Sequence, residues 1–179
     1  MAKKCILILG GARSGKSSFA QELAGKLEGK VLFVATGQAL DKEMQERISQ
    51  HKRERPKGWR TLETPTSIGK QIDKHIGDAQ VVLIDCLTLL ISNLLADELD
   101  YPEAEKRVIT EINELIACTD RLNTSFIIVS NEVGMGLVPE NKLGRLYRDL
   151  LGKANQLTAQ HASEVYFMAA GIPIKVKGD

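Results

Sequence analysis

The sequence has almost no excess of charge of either sign: 24 Lys and Arg stand against 23 Asp and Glu across 179 residues, for a formal net charge of +1. That balance excludes the broad basic surface with which nucleic-acid-binding proteins hold phosphate backbones, although basic residues thicken between positions 52 and 57. The expected partner is a small molecule, with no nucleic acid and no membrane. Cysteine is also scarce. Cys5, Cys86 and Cys118 are an odd, scattered set without CxxC spacing, which argues against a disulfide framework and for reduced thiols in a cytoplasmic protein. Long apolar runs are missing too: none approaches a membrane span, and the five apolar residues after Lys3-Lys4 stop at Gly10-Gly11, too soon for the core of a signal peptide. No repeat, low-complexity tract or linker divides the chain, so residues 1–179 are expected to form a single domain, within the range of about 100 to 200 residues usual for one.

What is present is an alternation. Residues 5–9, 31–35, 81–84, 126–129 and 165–168 are short runs that are apolar on consecutive positions, as strands are when helices cover both faces of a parallel sheet. Between them the spacing predicts helices over 16–27, 42–55, 67–76, 87–99, 102–118 and 142–160. This order implies a three-layer α/β fold with a mostly parallel central sheet flanked by helices. Residues 172–177 read as a further strand at an edge, where Pro173 is tolerated. Two stretches break the rhythm: 53–59, with its charges, proline and glycine, and the glycine-bearing loop 131–141 directly after a strand. Ligands of open α/β sheets bind at the carboxyl ends of strands, where that second loop lies.

The first strand runs into Gly10-Gly11-Ala12-Arg13-Ser14-Gly15-Lys16-Ser17, which has the spacing of a P-loop. The glycines let backbone N–H groups turn inward around phosphate oxygens, Lys16 brings positive charge to the β and γ phosphates, and Ser17 can ligate Mg²⁺. The strand before it and the helix after it are the context in which the motif binds phosphate; the alternative is an ordinary glycine-rich βα turn. Asp85 follows the apolar run 81–84, so its carboxylate sits where P-loop proteins hold the aspartate of the Mg²⁺ shell.

Met44, Ile48 and His51 share one helix face by their i, i+4, i+7 spacing, and His51 falls near the helix end. A packing histidine that complements the helix dipole and a nucleophile facing a nucleotide both fit that pattern, and spacing does not separate them. Lys52, Arg53 and Arg55 are open to the same two readings, as a solvated helix end or as a grip on phosphates. His75 and His161 have no acidic or metal-ligand neighbourhood at close spacing and read as surface or packing residues.

Taken together, these segments resemble the bifunctional adenosylcobinamide kinase/adenosylcobinamide-phosphate guanylyltransferases of cobalamin biosynthesis, P-loop NTPase-fold enzymes. The likeness covers nearly the whole length: the loop with Arg13 inside it, Ala35-Thr36-Gly37, the stretch 47–56, Trp59-Arg60-Thr61-Leu62-Glu63, Asn131-Glu132-Val133-Gly134 and its continuation to Asn141, and Gly171-Ile172-Pro173-Ile174-Lys175. The resemblance implies that His51 carries GMP as a covalent intermediate. It further implies nucleotide contacts from Ala35, Thr36, Gly37, Lys52, Arg53, Glu54, Arg55, Glu63 and Asp85, with GTP and ATP as substrates, Mg²⁺ as cofactor, adenosylcobinamide as second substrate and a homotrimeric assembly. A plain small-molecule kinase would share the loop without needing the His51 segment. A GTPase switch would need Asn-Lys-x-Asp, and the nearest match, Asn141-Lys142-Leu143-Gly144, lacks the aspartate. A nucleotide-binding module without catalysis is the remaining alternative, which turnover of GTP with adenosylcobinamide would exclude.

Overall fold

The computed structural model describes residues 3–38, 42–95 and 100–178, with the side chains at 43, 44, 47, 50, 51 and 54 outside that description. Seven strands form one sheet: β1 Cys5–Gly10, β2 Val31–Ala35, β3 Arg60–Glu63, β4 Val81–Asp85, β5 Ser125–Val129, β6 Glu164–Ala169 and β7 Ile172–Lys177. Their spatial order is β3-β2-β4-β5-β1-β6-β7. Every pairing is parallel except β6 with β7. Six helices accompany them among the described residues: α1 Lys16–Lys26, α2 Lys42–Glu54, α3 Ile68–His75, α4 Leu87–Leu94, α5 Tyr101–Arg121 and α6 Lys142–His161.

The apolar runs are buried on both faces, as their composition requires. On one face Ile6, Ile8, Phe33, Leu83, Ile127 and Val129 pack with Ala20 and Ala24 of α1. On the other, Leu7, Val34, Ile84 and Ile128 pack with residues of α3, α4, α5 and α6. The result is the expected three layers with the mostly parallel sheet in the middle.

Three departures from the sequence expectation have physical causes. β3 was not anticipated, because its residues Arg60-Thr61-Leu62-Glu63 are largely exposed on an edge strand and carry no apolar run. The helix expected over 87–99 is described only as far as Leu94, and positions 96–99 lie outside the described residues. α5 extends beyond 102–118 at both ends, since Asp100 caps it by accepting from the Glu103 N–H and Pro102 fits its first turn. β7 is the edge strand that Pro173 implied.

α3 and α5 lie so close that a Cβ built on Gly69 would stand 2.7 Å from the Glu114 carbonyl oxygen. The start of α3 has no side-chain cap of its own; instead Glu111, buried on α5, accepts from the Ser67 N–H at 3.0 Å and the Ile68 N–H at 2.8 Å. Removing that carboxylate leaves two helix-start donors unpaired in a buried place. Glu111→Ala is therefore expected to destabilise the protein by about 2–3 kcal/mol, read as a lower urea midpoint with an unchanged slope.

Candidate functional site

The register of the parallel strands brings their carboxyl ends into one row: Glu63 pairs with Ala35, Ala35 with Asp85, Asp85 with Val129, and Val129 with Ile8. Beyond Ile8 the chain leaves the sheet at Gly10, whose φ of +154° and close neighbours exclude a side chain: an added Cβ would meet the Met168 carbonyl oxygen and Ser14 Oγ at 2.7 Å. Gly15, at φ +91°, then turns the chain into α1. The helix has no side-chain cap and no acidic residue in its first turn, so its N–H groups and positive dipole end face the loop. Lys16 is nearly buried and reaches back to donate to the Gly11 carbonyl at 2.5 Å and to Ser14 Oγ at 3.4 Å. The β6–β7 turn braces the loop from outside, with the Gly171 N–H donating to the Ser14 carbonyl at 3.0 Å.

Above this row opens a cleft of about 600 Å³. Ala12, Arg13, Ser14, Gly15, Lys16 and Ser17 form one wall, and Ala35, Gly37, Lys52, Arg55, Glu63 and Asp85 line the rest of the polar surface. The structure thus gathers around one space loop residues and basic residues far apart in sequence. Gly10 and Gly11 are not part of the lining. Arg53 is exposed and outside it. His51 belongs to α2 immediately before Lys52, which lines the cleft; the side chains of His51 and Glu54 lie outside the described residues. His75 is exposed, and His161 bonds Thr119 Oγ1 at 2.9 Å between α5 and α6, so neither takes part.

Thr36 sits differently from its two neighbours. It is fully buried and does not line the cleft: its hydroxyl accepts from the Cys86 N–H at 2.9 Å and donates to the Cys86 carbonyl at 2.7 Å. Asn93 of α4 adds a bond from Nδ2 to the Thr36 carbonyl at 2.8 Å. Thr36 therefore ties the end of β2 to the end of β4 between Ala35 and Gly37, which line the cleft.

The sequence reading missed the apolar wall and one polar group. Phe33, Ile48, Leu89 and Val129 line the cleft, as does Asn131, just past β5. The rule that pointed to Asp85, a polar residue directly beyond a buried strand, would have found Asn131 as well. The Arg55 guanidinium lies 4.0 Å from the centroid of the Phe33 ring, and its Nε is buried without a hydrogen-bond partner. Burial pulls the Arg55 pKa below its ordinary value, while Glu63 and Asp85 oppose that shift. A stacked cation with an unspent donor fits an anion. Lys52 and Glu63 form an ion pair at 2.5 Å, but both are about half exposed, so water screens it and the pair can open. Burial, with Asp85 adding to it, pushes the Cys86 thiol up to about 11. Cys86 consequently stays protonated at neutral pH and supplies no thiolate nucleophile. The Ser17 hydroxyl and Asp85 carboxylate line the same cleft beside the phosphate loop. Two hard oxygen donors there fit Mg²⁺, which completes its shell with phosphate oxygens and water.

A phosphate loop between a central parallel strand and a helix, with a carboxylate at the end of a nearby strand, defines the class of P-loop nucleotide-binding proteins. A solved structure from Pyrococcus horikoshii OT3 shares the fold, with a TM-score of 0.60 over 99% of this chain and 88% of that one at 9% sequence identity. More specifically, the chain belongs to the cobinamide kinase / cobinamide phosphate guanyltransferase family, whose profile matches residues 6–176. It is 43% identical over 180 aligned positions to the bifunctional adenosylcobalamin biosynthesis protein CobU of Escherichia coli, covering 96% of this chain and 99% of that relative. The protein named CobP from Pseudomonas aeruginosa is 42% identical, with 97% of each chain covered.

Replacing the cleft cation without uncovering Phe33 isolates its charge. For Arg55→Met, GTP affinity by calorimetry is expected to fall roughly tenfold or more, the range of a charge-assisted hydrogen bond, while the thermal midpoint stays close to that of the parent protein.

Proposed function

We propose that this protein phosphorylates adenosylcobinamide with ATP or GTP and then transfers GMP from GTP to the product, giving adenosylcobinamide-GDP. The observation that carries the reading is the shared cleft: Lys52 and Arg55, from the segment that holds His51, line the same space as Lys16 and Ser17 of the phosphate loop. Family membership supplies the two activities, and the cleft accounts for how one platform serves both.

In the kinase step the substrate hydroxyl oxygen attacks the γ-phosphorus, the bond to the β–γ bridging oxygen breaks, the nucleoside diphosphate leaves and the hydroxyl proton is released. Lys16 and the α1 N-terminus hold the phosphates, and Arg13 neutralises charge on the moving group. Ser17 and Asp85 would hold Mg²⁺, which when bound offsets phosphate charge. In the transferase step a ring nitrogen of neutral His51 attacks the α-phosphorus of GTP and pyrophosphate departs, leaving a phosphoramidate. The phosphate of adenosylcobinamide-phosphate then attacks that phosphorus, the P–N bond breaks, and the imidazole is restored. Two displacements replace one encounter between crowded anions. Ala35, Gly37, Lys52, Arg55 and Glu63 contact the nucleotide in this reading. The enzyme works in the cytoplasm as a homotrimer; no described helix is long and apolar enough to cross a membrane.

Incubation with γ-labelled and α-labelled GTP tests both reactions at once: with adenosylcobinamide each label should reach the corrinoid, and transfer of neither would sink the reading. Lys16→Ala should fold normally yet lose phosphorylation by about 10²-fold or more; a near-normal rate in the folded variant counts against the loop's role. His51→Ala should keep substantial kinase activity and lose GMP transfer. Labelling with α-labelled GTP should leave an adduct on the parent protein that is stable to alkali and labile to acid, and its retention on His51→Ala would assign the nucleophile elsewhere.

A further inference from the structure

Asn131 lines the cleft and has no part in the chemistry above. Its position follows from the sheet. β5 lies between β4, which ends in Asp85, and β1, which leads into the phosphate loop. Beyond β5 the chain continues to pair with the loop strand: the Ser130 N–H donates to the Ile8 carbonyl and the Glu132 N–H to the Gly10 carbonyl, both at 3.0 Å. Asn131, between them, turns the other way. Its N–H donates to Thr88 Oγ1 at 2.9 Å, and its carbonyl accepts from Asn155 Nδ2 at 3.0 Å. Asn155 is buried and bonded through Oδ1 to the fully buried Ser130 hydroxyl at 2.6 Å. The Asn131 backbone is thus fixed from α4 and α6 and, through its two neighbours, from β1.

All of that anchoring uses main-chain atoms. The carboxamide makes no hydrogen bond to another described residue, so it is the uncommitted polar group of a rigidly held residue in a cleft shared with Arg13, Lys16, Ser17 and Asp85. An amide offers two N–H donors and one acceptor without adding charge. Beside a bound triphosphate, the donors fit the terminal phosphoryl oxygens, where charge must be held during transfer. A carboxylate in the same place would repel them, and an apolar side chain would offer nothing. Fixing such a donor before the substrate arrives avoids reorganisation when the reaction occurs.

We propose that the Asn131 carboxamide is a catalytic contact of the kinase step, donating to the γ-phosphoryl group and holding it for the incoming hydroxyl. The proposal rests on the phosphoryl-transfer reading above and adds a residue that neither the loop motif nor the His51 segment contains. It also separates triphosphate from diphosphate recognition, since a GDP complex has no γ-phosphate for the amide to meet.

The test compares the full chain with Asn131→Ala and the isosteric Asn131→Asp, using calorimetry with GTP and with GDP in the presence of Mg²⁺, and γ-label transfer to adenosylcobinamide. In both variants GTP affinity is expected to fall roughly tenfold or more, with GDP affinity unchanged, and the kinase kcat to fall about 10²-fold. Asn131→Asp should be the weaker GTP binder of the two. If Asn131→Ala does not fold, Asn131→Asp carries the test alone, because it keeps the shape and every main-chain bond. An unchanged kcat, or equal losses of GTP and GDP affinity in Asn131→Asp, overturns the proposal. Should the parent protein phosphorylate no cobinamide, the functional reading fails, while the GTP-to-GDP comparison still decides the contact of Asn131.

Discussion

Strands that are apolar at every position can be buried only if helices cover both faces of their sheet, and each crossover between parallel strands returns the chain to start again from the same end. That constraint governs β1, β2, β4 and β5, whose cores are almost wholly inaccessible to water. It sends all their carboxyl ends to one edge, where polar residues collect: Asp85 at the end of β4, the phosphate loop after β1, and Asn131 beyond β5. The site is a consequence of the packing before it is a consequence of any motif.

The same edge is held by polar bonds that would be expensive to leave unmade. Thr36 ties the ends of β2 and β4, Asn155 ties Ser130 and Asn131 to α6, and Gly171 clasps the outside of the phosphate loop. These contacts fix main chain and leave side chains such as those of Arg55 and Asn131 available. A site organised in this way presents its donors in fixed positions, which is what phosphoryl transfer asks of a protein. Ile48, Leu89 and Phe33 add apolar surface to the same cleft.

Much of this was legible in the linear chain. The consecutive apolar runs named the central strands, the 3.6-residue pattern named the helices, and the Gly10 to Ser17 spacing located the phosphate loop. β3 was not legible, because an exposed edge strand needs no apolar code; only its pairing with β2 brings Glu63 beside Ala35. Thr36 looked like part of a ligand-facing trio with Ala35 and Gly37. Its buried hydroxyl serves Cys86 instead, a partner fifty residues away that no local pattern reveals.

What the sequence determined by itself, then, is whatever depends on neighbours along the chain: strand against helix, the positive φ that Gly15 adopts at the start of α1, and the identity of the charged groups. Tertiary structure decided what depends on neighbours in space. The strand order β3-β2-β4-β5-β1-β6-β7 set which strand ends adjoin the loop, and so placed Asp85, Glu63 and Asn131 on one cleft. It also laid Arg55 over Phe33 and turned Thr36 inward. Backbone preference is local and can be read residue by residue, whereas burial and the pairing of polar groups are satisfied only once distant segments share a surface.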